Sequence, residues 1–408
     1  MRPINVIGLG YIGLPTALMF AKSGVPVIGT DYNKDLVETL KAGHLTFEEE
    51  GMEALFEKAL IEGIQFSTEY QKADVYIISV PTPFIRSSKK IDPKYVVSAV
   101  SSVLDVCEKG AILILESTVS PGTMDRFVRP EVEKRGYTIG EDIHLVHAPE
   151  RIIPGNMVYE LEHNSRTIGA DSTEIAEKIK SLYGSFCKGE IVLTDIRSAE
   201  MSKVVENTYR DINIAFANEL AQLCRHDNMD VYEIIRIANK HPRVNILSPG
   251  PGVGGHCISV DPWFLVGDYP DFTSLIHNAR DINDSMPEFV RKRILTIMKE
   301  RGIDSLQKVG LYGLTYKENV DDLRESPTLQ LLEIFKENLN EGVKVYDPFI
   351  RKSVVEGQVL DFSEFLNGLE MVVVMVAHNH IKEHLKEIEN LVVFDTKNVT
   401  GLAHAEKL

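Results

Sequence analysis

Apolar residues in the first half of the chain fall into short, unalternated runs: "INVIGLG", "PVIGTD", "ADVYIISV", "AILILEST", "IHLVHAPE" and "EIVLTD", all before about residue 195. Amphipathic stretches separate them. Strands that are apolar on both faces predict a parallel sheet covered by helices on each side. After Asp195 the pattern changes. Residues 197–228, "RSAEMSKVVENTYRDINIAFANELAQLCRHDN", contain no Gly or Pro and predict one long helix, with further helical text to about 300. From about 305 strands return as "KVGLYGLTYK", "GVKVYDPF", "MVVVMVAHN" and "LVVFDTKN". The expected organisation is two doubly wound α/β domains, 1–196 and 304–408, joined by a helical central domain, 197–303. The long helix is equally suited to a subunit interface and to packing within its own chain.

Composition narrows the function without choosing one. A length of 408 residues exceeds one comfortable core and agrees with several domains. A formal charge of -16 argues against nucleic acid and anionic membrane as partners, since both need a basic face. Cys107, Cys187, Cys224 and Cys257 are widely spaced, without CxxC or zinc-type pairing, so reduced thiols in a cytoplasm are expected. The start, Met1 and Arg2 followed by "INVIGLG", lacks the features of a signal peptide. The longest apolar run, "MVVVMVA" at 371–377, is strand-sized and not a membrane span.

"VIGLGYIG" places Gly8, Gly10 and Gly13 as G-x-G-x-x-G directly after a strand and at the head of a helix, with Tyr11 and Ile12 between them. The next strand ends in Asp31, close to the offset of roughly 20 residues expected of an acid that binds a ribose diol. Glycines allow the tight turn, and the helix N-terminus receives a pyrophosphate. This context points to a Rossmann-like domain and to NAD; Asp31 disfavours a 2′-phosphate, although Lys34 is close in sequence. Later strands end in "SVPTP", "ESTVSPG" and "HAPERIIPG". Ligands bind beyond the carboxyl ends of such strands, which puts Thr82, Thr118, Glu150 and Arg151 near the nicotinamide and the group it oxidises. Pro, Thr and Ser also end strands for turn chemistry alone, an explanation that suits Glu150 least.

The stretch "HPRVNILSPGPGVGGHCISVDPW", residues 241–263, surrounds a single thiol, Cys257, with glycines, and places Asp261 four residues later. On the long helix Lys203, Asn207 and Arg210 are at i, i+4 and i+7, and the stripe continues through Ile214, Ala217 and Ala221, so it is expected to face protein or substrate. A thiolate can attack an aldehyde made by a first hydride transfer. A second transfer then leaves a thioester for water to cleave. Lys203 with Asn207 would stabilise the oxyanion, and Glu150 or Asp261 would order the water. His378, His380 and His384 have metal-like spacing but sit at a strand end without nearby cysteines, so no metal is expected.

These segments, with "AEMSKVVENTYRD", "GLTYKENVDDLRES" and "DTKN", resemble in order and over essentially the whole chain the nucleotide-sugar dehydrogenases, the UDP-glucose/UDP-N-acetylmannosamine dehydrogenase family. "PER" and "PGPGVGGHC" stand where the glucose enzymes have "PEF" and a shorter loop, so the likeness leans to the N-acetylmannosamine branch; similar "GGHC" loops occur in N-acetylglucosamine and N-acetylgalactosamine enzymes. The resemblance implies Cys257 as nucleophile, Lys203 as acid/base or oxyanion partner, Asn207 and Asp261 in support, and Glu150 assisting thioester hydrolysis. It implies that the C-terminal domain holds UDP, with roles for Lys317 and Lys397, and that Arg324 reaches the NAD pyrophosphate. Arg243, beside His241, would be donated by a neighbouring subunit of a homodimer. Arg151, Ile152, Arg210 and Gly254 complete the expected substrate site. A few converging basic residues suffice for UDP, which carries roughly two negative charges. Two rivals are a two-electron β-hydroxyacid dehydrogenase and a non-catalytic nucleotide-sugar sensor; neither needs Cys257.

Overall fold

The computed structural model describes residues 3–153, 155–255, 257–338 and 342–408. The chain forms two compact units, Met1–Glu206 with Gly267–Tyr269, and Asn207–Val266 with Pro270–Leu408. In the first, strands β1 (Ile4–Ile7), β2 (Val27–Thr30), β3 (Gln65–Ser67), β4 (Val75–Ile78), β7 (Ala111–Leu115), β8 (Ile143–His147), β9 (Arg166–Ala170) and β10 (Ile191–Thr194) form one eight-stranded sheet. A small antiparallel hairpin, β5 (Phe84–Ile85) with β6 (Lys90–Ile91), stands apart from it. The sheet order is β10-β9-β8-β7-β4-β1-β2-β3, so the chain reverses its direction of winding between β1 and β4. Such a switch point opens a crevice at the carboxyl ends of the two strands.

β1, β4 and β7 are buried along their full length, which is why, Asn5 apart, they read as apolar runs. The helix Gly13–Lys22 is buried from Gly13 to Ala21 and packs Leu14, Leu18 and Phe20 into the same core as Val6, Ile77 and Ile114. Two features depart from the expected parallel sheet of six strands. β3 and β9 are additional, "QFS" being short and "RTIGA" beginning with an arginine. β9 pairs antiparallel with β8, and β10 runs parallel to β9, so the last two strands oppose the other six.

In the second unit, β11 (Val309–Tyr312), β12 (Lys344–Tyr346), β13 (Met371–Val374), β14 (Val392–Asp395) and β15 (Glu406–Lys407) form a five-stranded parallel sheet in the order β12-β11-β13-β14-β15. Only the short β15 was not expected from the sequence. The predicted long helix is Ile196–His226, and the helices Val231–Ala238, Asp261–Asp268 and Ser274–Arg301 follow. The last ends at Gly302 in the left-handed conformation (φ 70°), a common helix stop. Met286, Val290, Ile294 and Ile297 of that helix share a core with Leu311, Val345, Val373 and Phe394 of the sheet. The fold is therefore α/β, with two doubly wound sheets and helices between them in the chain.

Candidate active site

The dinucleotide turn is built by close backbone approach. Gly8 has φ +89°, and a Cβ there would lie 2.6 Å from the Ser79 carbonyl oxygen. A Cβ on Gly13 would lie 1.9 Å from the Gly8 carbonyl oxygen, so only glycine lets the helix start this close to β1. Around Gly10 the chain leaves open space. No side chain caps the helix at Ile12, which leaves its amide end to a ligand, and Tyr11 packs on Phe47 at 4.5 Å between ring centroids. Asp31 is fixed at the end of β2: its carboxylate accepts from Leu9 N at 2.8 Å and from Asn33 N at 2.9 Å. Lys34 is exposed. These residues suit the adenosine ribose and pyrophosphate of a dinucleotide.

The neighbouring strand ends are tied together. Thr82 Oγ1 donates to the Thr118 carbonyl at 2.7 Å, joining the turns after β4 and β7. Glu150, buried, accepts from Arg151 N at 2.6 Å and is ion-paired with Arg166. Arg151 engages Glu206 through Nε at 2.8 Å, the Ser165 carbonyl and Thr167 Oγ1, so it braces the loop from within the protein; Ile152 packs on the core. Glu116 and Arg166 were not singled out from the sequence, yet both are buried beside Glu150. Burial, reinforced by the Glu150 charge, raises the Glu116 pKa against the opposing pull of Arg166. Lys203 is buried on the long helix, in the same unit.

In the second unit the glycine-rich loop packs on its own neighbours. Gly255 N donates to the Arg324 carbonyl at 2.8 Å, and a Cβ on Gly254 would meet the Glu325 carbonyl oxygen and Tyr316 Cβ, each at 2.6 Å. Cys257 follows as an exposed residue, whereas Cys107, Cys187 and Cys224 are buried. The amide of Asp261 returns to the Cys257 carbonyl at 2.8 Å, placing a buried carboxylate at the start of the next helix. Asn207 Nδ2 donates to Asp261 Oδ2 at 2.6 Å. This buried hydrogen bond ties the thiol segment to the long helix. Behind it, Asn218 links Gly250 N at 2.9 Å to Asn283, which with Arg280 holds the buried Asp211.

Arg210 does not share this environment. It is exposed, and the buried stripe follows Lys203, Asn207, Asp211 and Ala215. His241 and Arg243 are also exposed. Lys397 is partly buried, with its pKa lowered by desolvation, in a small cleft shared with Pro251, Gly252, Tyr316, Glu318 and Pro327. Lys317 is half-buried and its carbonyl accepts from Thr315 Oγ1. Arg324, 43% exposed, forms a forked pair with Asp322, Nε to Oδ1 at 3.0 Å and Nη2 to Oδ2 at 2.6 Å. His378 bonds Asp347 at 3.2 Å, and His380 stacks on His384. Among the described residues no group of three or more His, Cys, Asp or Glu is arranged to hold a metal, and no helix is long and apolar enough to cross a membrane.

Three family models match in succession: the NAD binding domain of the UDP-glucose/GDP-mannose dehydrogenase family at 2–187, its central domain at 197–285 and its UDP binding domain at 310–401. The chain belongs to this family. It is an NAD-dependent nucleotide-sugar dehydrogenase. A UDP-N-acetyl-D-mannosamine dehydrogenase of Methanococcus maripaludis is 42% identical over 411 residues, covering 98% of this chain and 93% of the relative. An NDP-N-acetyl-D-galactosaminuronic acid dehydrogenase of Ralstonia nicotianae is 38% identical over 98% of this chain and 96% of its own. The solved UDP-N-acetyl-mannosamine dehydrogenase of Staphylococcus aureus superimposes with a TM-score of 0.89 at 42% identity, covering 99% of this chain and 97% of that one.

Proposed function

We propose that the protein oxidises the C6 hydroxyl of UDP-N-acetyl-D-mannosamine to the carboxylate, a four-electron reaction that gives UDP-N-acetyl-D-mannosaminuronate. The observation that carries this reading is the exposed Cys257 beside the buried Asn207–Asp261 pair. Relatives named for the same substrate support the sugar. Bound NAD supplies the hydride acceptor for each of the two oxidations. Lys203 takes and returns the proton at the substrate oxygen. Cys257 Sγ adds as thiolate to the aldehyde carbon, and Lys203 with Asn207 stabilises the resulting oxyanion. After the second oxidation the acyl group is a thioester on Cys257. Glu150 accepts a proton from water as the water oxygen adds to the thioester carbon; the C–S bond then breaks and the thiolate departs.

Gly8, Gly10, Tyr11, Ile12, Gly13, Asp31, Thr82 and Thr118 are assigned to NAD, with Arg324 at the pyrophosphate. Lys317, Lys397 and Gly254 are assigned to the UDP-sugar, and the domain roles divide at 196/197 and 303/304. We further infer a cytoplasmic homodimer in which Arg243 acts in the partner's site. The outer face of the long helix supports it: Val205, Tyr209, Phe216 and Leu223 are 47, 66, 50 and 58% exposed on one stripe.

The test is NADH formation by the purified protein with UDP-N-acetylmannosamine, UDP-N-acetylglucosamine and UDP-glucose, counting NADH per sugar consumed. Two NADH per UDP-N-acetylmannosamine, with little from the others, is expected. A preference for another of these sugars reassigns the substrate, one NADH per sugar removes the thioester route, and none from any sugar favours the sensor. Cys257→Ala is expected to abolish acid formation; unchanged turnover overturns the mechanism.

A further inference from the structure

Because β9 runs against β8, it begins at the end of the sheet where β7 and β8 finish. Its first residue, Arg166, therefore enters the region of the strand-end carboxylates. The guanidinium lies between two of them: Nη1 is 3.2 Å from Glu116 Oε1, and Nη2 donates to Glu150 Oε2. Arg166, Glu116 and Glu150 are 3, 1 and 8% exposed. The guanidinium is 4.2 Å above the centroid of the Tyr183 ring, whose hydroxyl donates to Glu116 Oε1 at 3.1 Å. The other oxygen, Glu116 Oε2, accepts from Ser79 Oγ at 2.7 Å. Glu116 is thus held on both oxygens, Arg166 on one face and two edges, and Glu150 at the end of the series.

Stability does not account for this arrangement. Burying three ions confers little or nothing over apolar side chains of similar volume, and two carboxylates sharing one guanidinium leave negative charge uncompensated. A hydrogen-bonded series with one fixed geometry does, however, hold its terminal carboxylate in a single orientation. We propose that Arg166, itself fixed by Glu116, is a positioning residue that aims Glu150 at the water of thioester hydrolysis. The inference rests on the hydrolytic role assigned to Glu150 above. In that step Glu150 accepts one proton from water, the C–O bond forms, the C–S bond breaks and the Cys257 thiolate leaves, without net oxidation or reduction.

The experiment compares Glu150→Gln, Arg166→Lys and Glu116→Gln in the first and later turnovers, with NADH followed by stopped flow and the protein weighed by intact mass spectrometry. All three are expected to release two NADH per site rapidly and then to slow on the order of 100-fold, with the sugar acyl group retained on Cys257. Hydroxylamine, which cleaves thioesters directly, is expected to restore turnover. A merely structural role would lower the amount of folded protein without producing the burst, the adduct or the rescue. If Arg166→Lys does not fold, the near-isosteric Glu116→Gln decides. Adduct in Glu150→Gln but none in the folded Arg166 and Glu116 variants overturns the positioning role alone. No adduct in Glu150→Gln overturns the assignment of Glu150 and this inference with it.

Discussion

His147 closes β8 three residues before Glu150 and is wholly buried, and desolvation pulls its pKa from 6.5 down to about 3 against a weaker opposing contribution from the Leu115 backbone. Above pH 6.5 the imidazole is neutral whether the chain is folded or not, and it contributes no pH dependence. Below that value the unfolded chain takes up a proton that the folded one refuses, so stability falls as the pH drops from 6.5 toward 3. At 1.36 kcal/mol per pKa unit the loss is about 2 kcal/mol at pH 5 and about 3 kcal/mol at pH 4. His147→Leu removes the titration at similar volume. Urea unfolding of both proteins, followed by circular dichroism at pH 8 and pH 5, cancels the other groups in the difference. The variant is expected to gain about 2 kcal/mol on the wild type between these pH values. Parallel pH profiles would refute the reasoning and mean that the imidazole is accessible to protons in the folded state.

Gly10→Ala and Gly13→Ala separate ligand approach from internal packing. The first has open space and is expected to raise the KM for NAD with the melting temperature unchanged; the second, 1.9 Å from the Gly8 carbonyl, is expected to lower the melting temperature as well. Asp211→Ala removes the buried one of the two carboxylates that pair with Arg280, leaving the half-exposed Asp284, and is expected to destabilise by about 3 kcal/mol, read as a lower urea midpoint. Asp31→Ser removes the carboxylate that disfavours a 2′-phosphate, so the ratio of kcat/KM for NADP to that for NAD is expected to rise; a ratio that stays constant would place cofactor selection elsewhere.

The doubly wound sheets were legible because strands buried on both faces are apolar almost throughout, as β4 and β7 are and as β1 is apart from Asn5. β9 was not, because "RTIGA" opens with an arginine that reads as a surface charge until the sheet brings Glu116 and Glu150 to it. Strand direction is likewise a tertiary property, absent from the residues of β9 themselves. Glu116 carried a signal in its place at the end of the apolar "AILILE", where a charge needs a partner. On the long helix the i, i+4, i+7 template selects Arg210, whereas burial advances by fours through Asp211, a residue whose partner, Arg280, is 69 positions away in sequence. The glycines at 254 and 255 pointed to close approach, and within the described residues what approaches is Tyr316, joined at Gly254 by the Glu325 carbonyl.

The reversal of β9 also bears on how much order must be created at each turnover. A residue supplied by a loop has to be immobilised when substrate arrives, at a cost of about 1–2 kcal/mol for its backbone alone. Arg166 belongs to a strand, with its amide bonded to the Glu190 carbonyl at 2.8 Å and its residue registered against Ile191. Its backbone freedom is surrendered once, during folding. A strand that runs against most of its sheet thus offers the ligand-binding rim something that the other six strands do not: an amino-terminal side chain with the rigidity of the sheet behind it.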